Sequence, residues 1–365
     1  MAALASDIVK CFVINPFRHL QHRSRSASSG FFELSEFHVP QVSRYRHLET
    51  SPKPIFPQVF DNETTDCDVS AEPTEDIVTE ELNQVSMFDE GLSGDDDLHW
   101  FRFGGVGRLY EDAETSEEII LERLKRATVA VVGMGGIGSW TAEALCRSGI
   151  GNLVLIDLDD ICISNTNRQL HTLSTNVGSM KTDVMRDRLV GINPYSNITL
   201  IHDFVMLDNV DEIVGEKFKE LNVDIVIDAI DGEREKTALI AACTDHNVPV
   251  VTTGSPAGKS DPTQICCEDL AEVRGDNLLK ACRNRLVNDF EFNYTNEKLL
   301  WNVPAVYSKQ GVKEDETNDV TQGNSFRNDG SLGTACFVTG TFGFVAAAHV
   351  VERIVDDNLV PPTRN

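Results

Sequence analysis

The chain has 365 residues, 41% of them apolar, which allows a sizeable core and two or three domains by length. Its net charge of −26 is uneven: +3 over residues 1–57, −14 over 58–100 where no Lys or Arg occurs, and −15 over the rest. The acidic stretch argues against a polybasic nucleic-acid arm, no apolar run reaches the roughly 18 residues of a membrane span, and nine cysteines without C-x-x-C spacing give a structural zinc no support.

Residues 1–30 hold Lys10, Arg18, Arg23 and Arg25, five serines and a single acid, Asp7. That is the composition of an organellar transit peptide, mitochondrial ahead of plastid. An unstructured extension on a cytoplasmic protein is the alternative. Scattered cysteines suit a reducing compartment. Residues 31–99 read as an acidic linker, too polar to offset their chain entropy. The folded part is expected over 100–355, with 356–365 as a flexible tail.

Phe101 to Tyr110 is glycine-rich and carries Arg102 and Arg108. A helix over 116–125 follows, with acids early and bases late, as the helix dipole favours. Thr128 to Val132 is a β-branched run that reads as a buried strand. It enters Gly133-Met134-Gly135-Gly136-Ile137-Gly138 and then an apolar stretch with helical spacing. A second apolar run, Leu153 to Ile156, ends on Asp157, which lies 19 residues past Gly138. Strand, glycine turn, helix, strand and acid in this order form a nucleotide-binding unit. The glycines supply a tight turn, close approach to a phosphate, and close packing of helix on strand.

Beyond it come the polar loop Ser164 to Gln169, a helix over 177–189, and a strand over 198–201. A strand over 223–227 ends in Asp228-Ala229-Ile230-Asp231, and a helix over 233–245 leads to a strand over 248–251. This alternation predicts an α/β fold: a doubly wound, mainly parallel Rossmann-like sheet with helices on both faces. Then the alternation fades. Residues 264–267 suggest a strand, 277–290 a basic helix, 309–331 a polar loop, and 335–355 a buried final helix.

The glycine turn, Asp157, the Asn165/Arg168 loop and Asp228/Asp231 all fall at or beyond strand ends, and Lys181 lies further along the chain. Triphosphate chemistry needs such a set: cations for phosphate charge and a carboxylate for Mg2+. Hydride transfer would need the turn and Asp157 but not the rest. Asp231 could instead cap a helix. Arg108 could be an ordinary surface charge, His171 reads as structural, and Cys266 and Cys267 read as buried rather than nucleophilic. Arg274, Lys280, Arg283 and Arg285 form either a patch for RNA phosphates or a solvated helix face.

The segments RFGGVGRLY, VVGMGGIGSW, LIDLDDICISNTNRQLH, VGSMKTDVM, VIDAID and DPTQI resemble the adenylating ThiF/MoeB family, which includes ubiquitin-activating enzymes. Its branch of tRNA threonylcarbamoyladenosine dehydratases is the most similar in the NTNRQ-H, RFGG, DPTQI and TGTFGFVAAAH segments. The resemblance covers about residues 100–355. It implies that Gly133, Gly135, Gly136 and Gly138 cradle ATP phosphates and Asp157 holds the ribose. It further implies that Asn165, Arg168 and Lys181 contact the triphosphate, that Asp231 binds Mg2+, and that Arg108 crosses a homodimer interface. The implied reaction is ATP-dependent cyclisation of threonylcarbamoyladenosine beside the tRNA anticodon. The alternative is activation of a ubiquitin-like or sulfur-carrier protein, and a sulfur-transfer partner is a further implication. Ser255-Pro256 and residues 291–331 depart from the family pattern.

Overall fold

The computed structural model describes residues 95–294, 299–311 and 332–365. Expectations for residues 1–30, for 31–94 and for most of the 309–331 loop lie outside the described residues. The chain within this range forms helix α1 (Asp95–Tyr110), α2 (Glu117–Arg126), β1 (Thr128–Val132), α3 (Gly138–Arg147) and β2 (Asn152–Ile156). There follow α4 (Lys181–Ile192), β3 (Asn197–Ile201), β4 (Ile225–Asp228), α5 (Glu233–Asp245), β5 (Val250–Thr253) and β6 (Ile265–Asp269). The series ends with α6 (Asn277–Asp289), β7 (Pro304–Ser308) and α7 (Cys336–Val355).

The strands form one seven-stranded sheet in the order β3-β2-β1-β4-β5-β7-β6. All neighbours are parallel except β6, which runs antiparallel to β7 at the edge. β1 lies inside the sheet between β2 and β4, and all five of its residues are buried. Because strand side chains alternate, Val129 and Val131 enter one core while Ala130 and Val132 enter another on the opposite face. The first core is covered by α2, α3, α4 and α7; the second by α5, α6 and a π-helical turn, Glu212–Lys217. This is the doubly wound arrangement that the alternation implied.

Several boundaries differ from expectation. The glycine-rich segment over 101–110 is helical, and its helix begins at Asp95, inside the stretch read as linker. The helix after the polar loop begins at Lys181, four residues later than expected. β7 has no counterpart in the sequence reading; it inserts between β5 and β6 with all five residues buried. The tail over 356–365 is docked rather than flexible. Thr363 N donates to Trp301 O at 2.8 Å, Asn293 N donates to Arg364 O at 3.0 Å, and Arg364 pairs with Asp245 at 2.6 Å. Helix α7 is long and apolar enough to cross a membrane by length and composition. Its stripe of Val338, Phe342, Ala346 and Val350 has no solvent exposure and lies in the first core, as the buried-helix reading expected.

Two glycines carry measurable consequences. A Cβ on Gly138 would lie 1.8 Å from the Gly133 carbonyl oxygen, so the helix cannot sit where it does with any side chain there. Gly138→Ala should destabilise the protein by about 3 kcal/mol, the scale of an overpacked core. Gly178→Ala, at φ +88 with nothing within 4 Å, should cost only about 1 kcal/mol of backbone strain. Denaturant unfolding of both variants checks the contrast.

His171 is buried, as a structural histidine should be. Burial first, and the charge of Lys181 second, push its pKa down from 6.5 to about 4. A folded-state value below the unfolded one means that stability is whole above pH 6.5 and is lost as the pH falls toward 4. Between pH 7.5 and 4.5 the wild type should lose about 2.5 kcal/mol more than His171→Gln, measured by chemical denaturation at both values.

Candidate active site

The carboxyl ends of β1, β2, β3, β4 and β5 open onto one cavity of about 1010 Å³. That is where ligands bind in open, doubly wound sheets. Gly133, Gly135 and Gly136 line it, and α3 starts just behind them. Gly133 takes a left-handed φ of +92 and donates its N–H to Ile156 O at 2.8 Å, which ties the turn to the end of β2. Gly135 meets nothing nearer than 3.9 Å on its Cβ side, so the backbone there is open to a ligand. Gly138 does not line the cavity; a Cβ there would meet the Gly133 carbonyl, so what the structure shows of its part in the turn is close packing.

Asp157 stands at the end of β2, at 7% exposure. Its Oδ2 accepts from Met134 N at 2.6 Å and its Oδ1 from Asp159 N at 2.8 Å. The carboxylate therefore clamps the glycine turn before any ligand arrives, and its remaining lone pairs can accept a hydroxyl. Burial raises its pKa, opposed first by the charge of Lys181.

The loop Asn165 to Gln169 forms the next wall. Asn165 is buried and accepts from Cys162 N at 2.9 Å. Arg168 Nη1 donates to Ser164 O at 2.8 Å and to Asn167 Oδ1 at 3.0 Å. The Arg168 carbonyl accepts from Trp140 Nε1 at 3.0 Å and Thr339 Oγ1 at 3.1 Å, so α3 and α7 hold this residue together. Lys181 opens α4, is 6% exposed, and pairs through Nζ with Asp159 Oδ2 at 2.6 Å. Both cations line the cavity, as does the exposed Asp231 in the loop between β4 and α5. Arg108 does not line it. It sits in the last turn of α1, mostly exposed, with Nη1 3.1 Å from Glu117 Oε1.

No cluster of three or more His, Cys, Asp or Glu suited to a metal occurs among the described residues. The donor set still fits Mg2+, which keeps several waters and takes one or two carboxylates together with substrate phosphates. Asp231 is placed to be such a carboxylate.

Other wall residues escaped the sequence reading. Phe204 and Met206, past β3, are large apolar side chains left over 40% exposed at the cavity. Ser255 to Ala257 past β5, Leu278 of α6, and Leu332 to Thr334 before α7 close the far side. The only signal for them was position, just beyond strand ends. Ser255-Pro256, read as a departure from the family pattern, lies in this far wall.

Two alternative readings can now be decided. Three of the four residues of the basic segment are spent internally. Arg283 is buried and donates to Leu270 O and Val273 O, Arg285 pairs with Glu233 and Asp289, and Arg274 bonds Ala271 O, Val273 O and the Tyr294 hydroxyl. Lys280 is the fourth member and stays exposed on that helix. Cys266 and Cys267 lie on β6; burial raises the Cys266 pKa and pushes Cys267 up to about 12, which leaves both poor nucleophiles.

Comparison with known proteins agrees with this architecture. The model of the ThiF family matches residues 108–364. The chain is 41% identical to the tRNA threonylcarbamoyladenosine dehydratase of Escherichia coli, over 70% of this chain and 93% of that one. With the Haemophilus influenzae protein of the same name it shares 39% identity over 70% and 93% of the two chains. A solved structure of the Escherichia coli dehydratase in complex with ATP superposes with a TM-score of 0.61 at 40% identity, covering 73% of this chain and 98% of that one. On the family match and these identities, the chain belongs to the ThiF family.

Proposed function

We propose that the protein is an ATP-dependent tRNA threonylcarbamoyladenosine dehydratase. The observation that carries this reading is the convergence of Arg168, Lys181 and Asp231 on the cavity that the glycine turn opens. Relatives that share about 40% identity over nearly their whole length are named for that activity, and one is solved with ATP.

In the proposed arrangement the triphosphate lies over Gly133, Gly135 and Gly136, the ribose reaches Asp157, and the base rests against Phe204 and Met206. Arg168 and Lys181 offset phosphate charge. Mg2+, held by Asp231 and phosphate oxygens, would neutralise the departing pyrophosphate. A carboxylate oxygen of the threonylcarbamoyl group attacks the α-phosphorus, and pyrophosphate leaves. The carbamoyl nitrogen or oxygen then attacks the activated carbonyl carbon, loses its proton, and expels AMP. Net, the nucleoside loses one water while ATP becomes AMP and pyrophosphate. The cavity stands at the upper end of ordinary ligand pockets, roomy enough for a nucleotide with an acyl group beside it. In this reading the substrate is a tRNA and the assembly a homodimer with Arg108 donated across the interface, while the basic, acid-poor residues 1–30 favour the mitochondrion as the compartment. A sulfur-transfer protein is a further partner of this reading.

Incubation with ATP, Mg2+ and modified tRNA should lower the nucleoside mass by about 18 daltons, the water that an acyl-adenylate route removes. Arg168→Ala should abolish the change. Pyrophosphate exchange that requires a protein ending in Gly-Gly, with no nucleoside change, would favour the carrier-activating alternative instead.

The crossed arginine has its own test. Arg108→Ala and Arg168→Ala should each be inactive alone. In a mixed dimer one site regains both residues, so equal mixing should restore about a quarter of wild-type activity. No recovery after dissociation and remixing would place Arg108 outside the neighbouring site.

A further inference from the structure

Asp228, at the end of β4, is left without a part in the chemistry above, yet it anchors an unusually costly piece of structure. Its carboxylate and the ammonium of Lys236 on α5 are both fully buried, with Nζ 2.8 Å from Oδ2. An ion pair taken wholly out of water is often replaceable by apolar residues at no loss of stability. Its presence calls for a role in geometry.

The hydrogen bonds define that role. Lys236 Nζ spends its donors on Asp228 Oδ2, on Asp228 O at 3.3 Å and on Thr252 Oγ1 at 3.2 Å. Thr252 Oγ1 in turn donates to Oδ2 at 2.7 Å, and Thr253 Oγ1 donates to the Asp228 carbonyl at 3.1 Å. The two bonds to Oδ2 fix the carboxylate in one rotamer, and the two to the carbonyl hold the backbone behind it. Oδ1 is thereby aimed at Ile230 N, which donates to it at 3.1 Å. Ala229 N donates to Val132 O at 2.9 Å, and the Ala229 carbonyl lies against Gly133, 3.0 Å from where a Cβ would stand. The residue that follows this doubly pinned dipeptide is Asp231.

We infer that Lys236, acting through Asp228 with Thr252, is a positioning residue that sets the Asp231 loop for Mg2+ over the glycine turn. This inference rests on the metal role of Asp231 in the reading above. The ammonium touches neither nucleotide nor metal. It fixes the carboxylate that fixes the backbone that carries the metal carboxylate.

The test is ATP binding to the full-length protein by calorimetry, in EDTA and at saturating Mg2+, with melting temperature recorded in parallel. The readout is the gain in ATP affinity that Mg2+ confers. Lys236→Met should cut that gain about tenfold, the scale on which supports behind a metal ligand act, and leave affinity in EDTA within about twofold. Lys236→Arg, which keeps the charge, should recover part of the gain. Thr252→Val keeps the ion pair and should cost about threefold, so it decides the matter if Lys236→Met does not fold. A lowered melting temperature with an undiminished gain in every folded variant would show a purely structural pair and overturn the inference. So would an equal loss of affinity with and without metal. A wild-type protein that gains nothing from Mg2+ would instead sink the metal role of Asp231, and this inference with it.

Discussion

Gly138 sits so close to the carbonyl of Gly133 that a Cβ would lie 1.8 Å from that oxygen, and the nucleotide site is built outward from this contact. With no side chain at 138, α3 seats its first turn directly on the end of β1. That seat places the start of α3 just behind the glycines that line the cavity. Asp157 pins the turn from β2 through Met134 N, and the Ala229 carbonyl closes on it from β4. Three neighbouring strand ends are thus locked in register around one turn. The loops they launch carry Asp157, Arg168 and Asp231.

Charge poses the second constraint. A cavity meant for a triphosphate is lined by Asp157, Asp159, Asp203, Asp231 and Glu235, against only Arg168 and Lys181. The arrangement is workable because much of this negative charge is already engaged. Asp157 accepts two backbone N–H groups, and Asp159 neutralises Lys181. Asp159 is half exposed, so its pair with Lys181 is worth at most about 1 kcal/mol and yields readily to an arriving phosphate. A divalent cation shared between Asp231 and the phosphates would turn the remaining repulsion into attraction.

How much of this was legible in the sequence depended on which force shaped each segment. Strands β1, β2 and β3 lie within a residue of their expected bounds, because buried β-branched runs and the turns that end them are local signals. Asp157, Asn165, Arg168, Lys181 and Asp231 were found through motif and spacing, and the fold does bring them to one cavity. Gly138, expected among the phosphate-cradling glycines, stands behind the cavity lining and packs against the Gly133 carbonyl. Helix α1 was hidden by its glycines, whose low helix propensity is overridden by packing: Gly107 lies against Glu117 and Leu121 of α2. β7 was hidden because a five-residue strand buried on both faces has no period to detect. The docked tail and the spent arginines of α6 are tertiary facts. A guanidinium that bonds carbonyls ten residues or more away leaves no trace in the order of residues.

The Arg168 loop shows why the site cannot be cut away from the end of the chain. Its carbonyl receives one bond from Trp140, in the first turn of α3, and one from Thr339, 171 residues beyond Arg168. Asn167 Nδ2 adds a bond to Thr334 O at 2.9 Å. Gly136 faces Thr339 at a distance where a Cβ would stand 3.2 Å from its methyl. Helix α7 is therefore not a lid on a finished nucleotide fold. It is the back support of the loop that carries one of the two cations lining the cavity, and its burial against the sheet is what transmits that support. The match to the family runs through residue 364 and so takes in α7, without which the Arg168 carbonyl would lose the Thr339 bond.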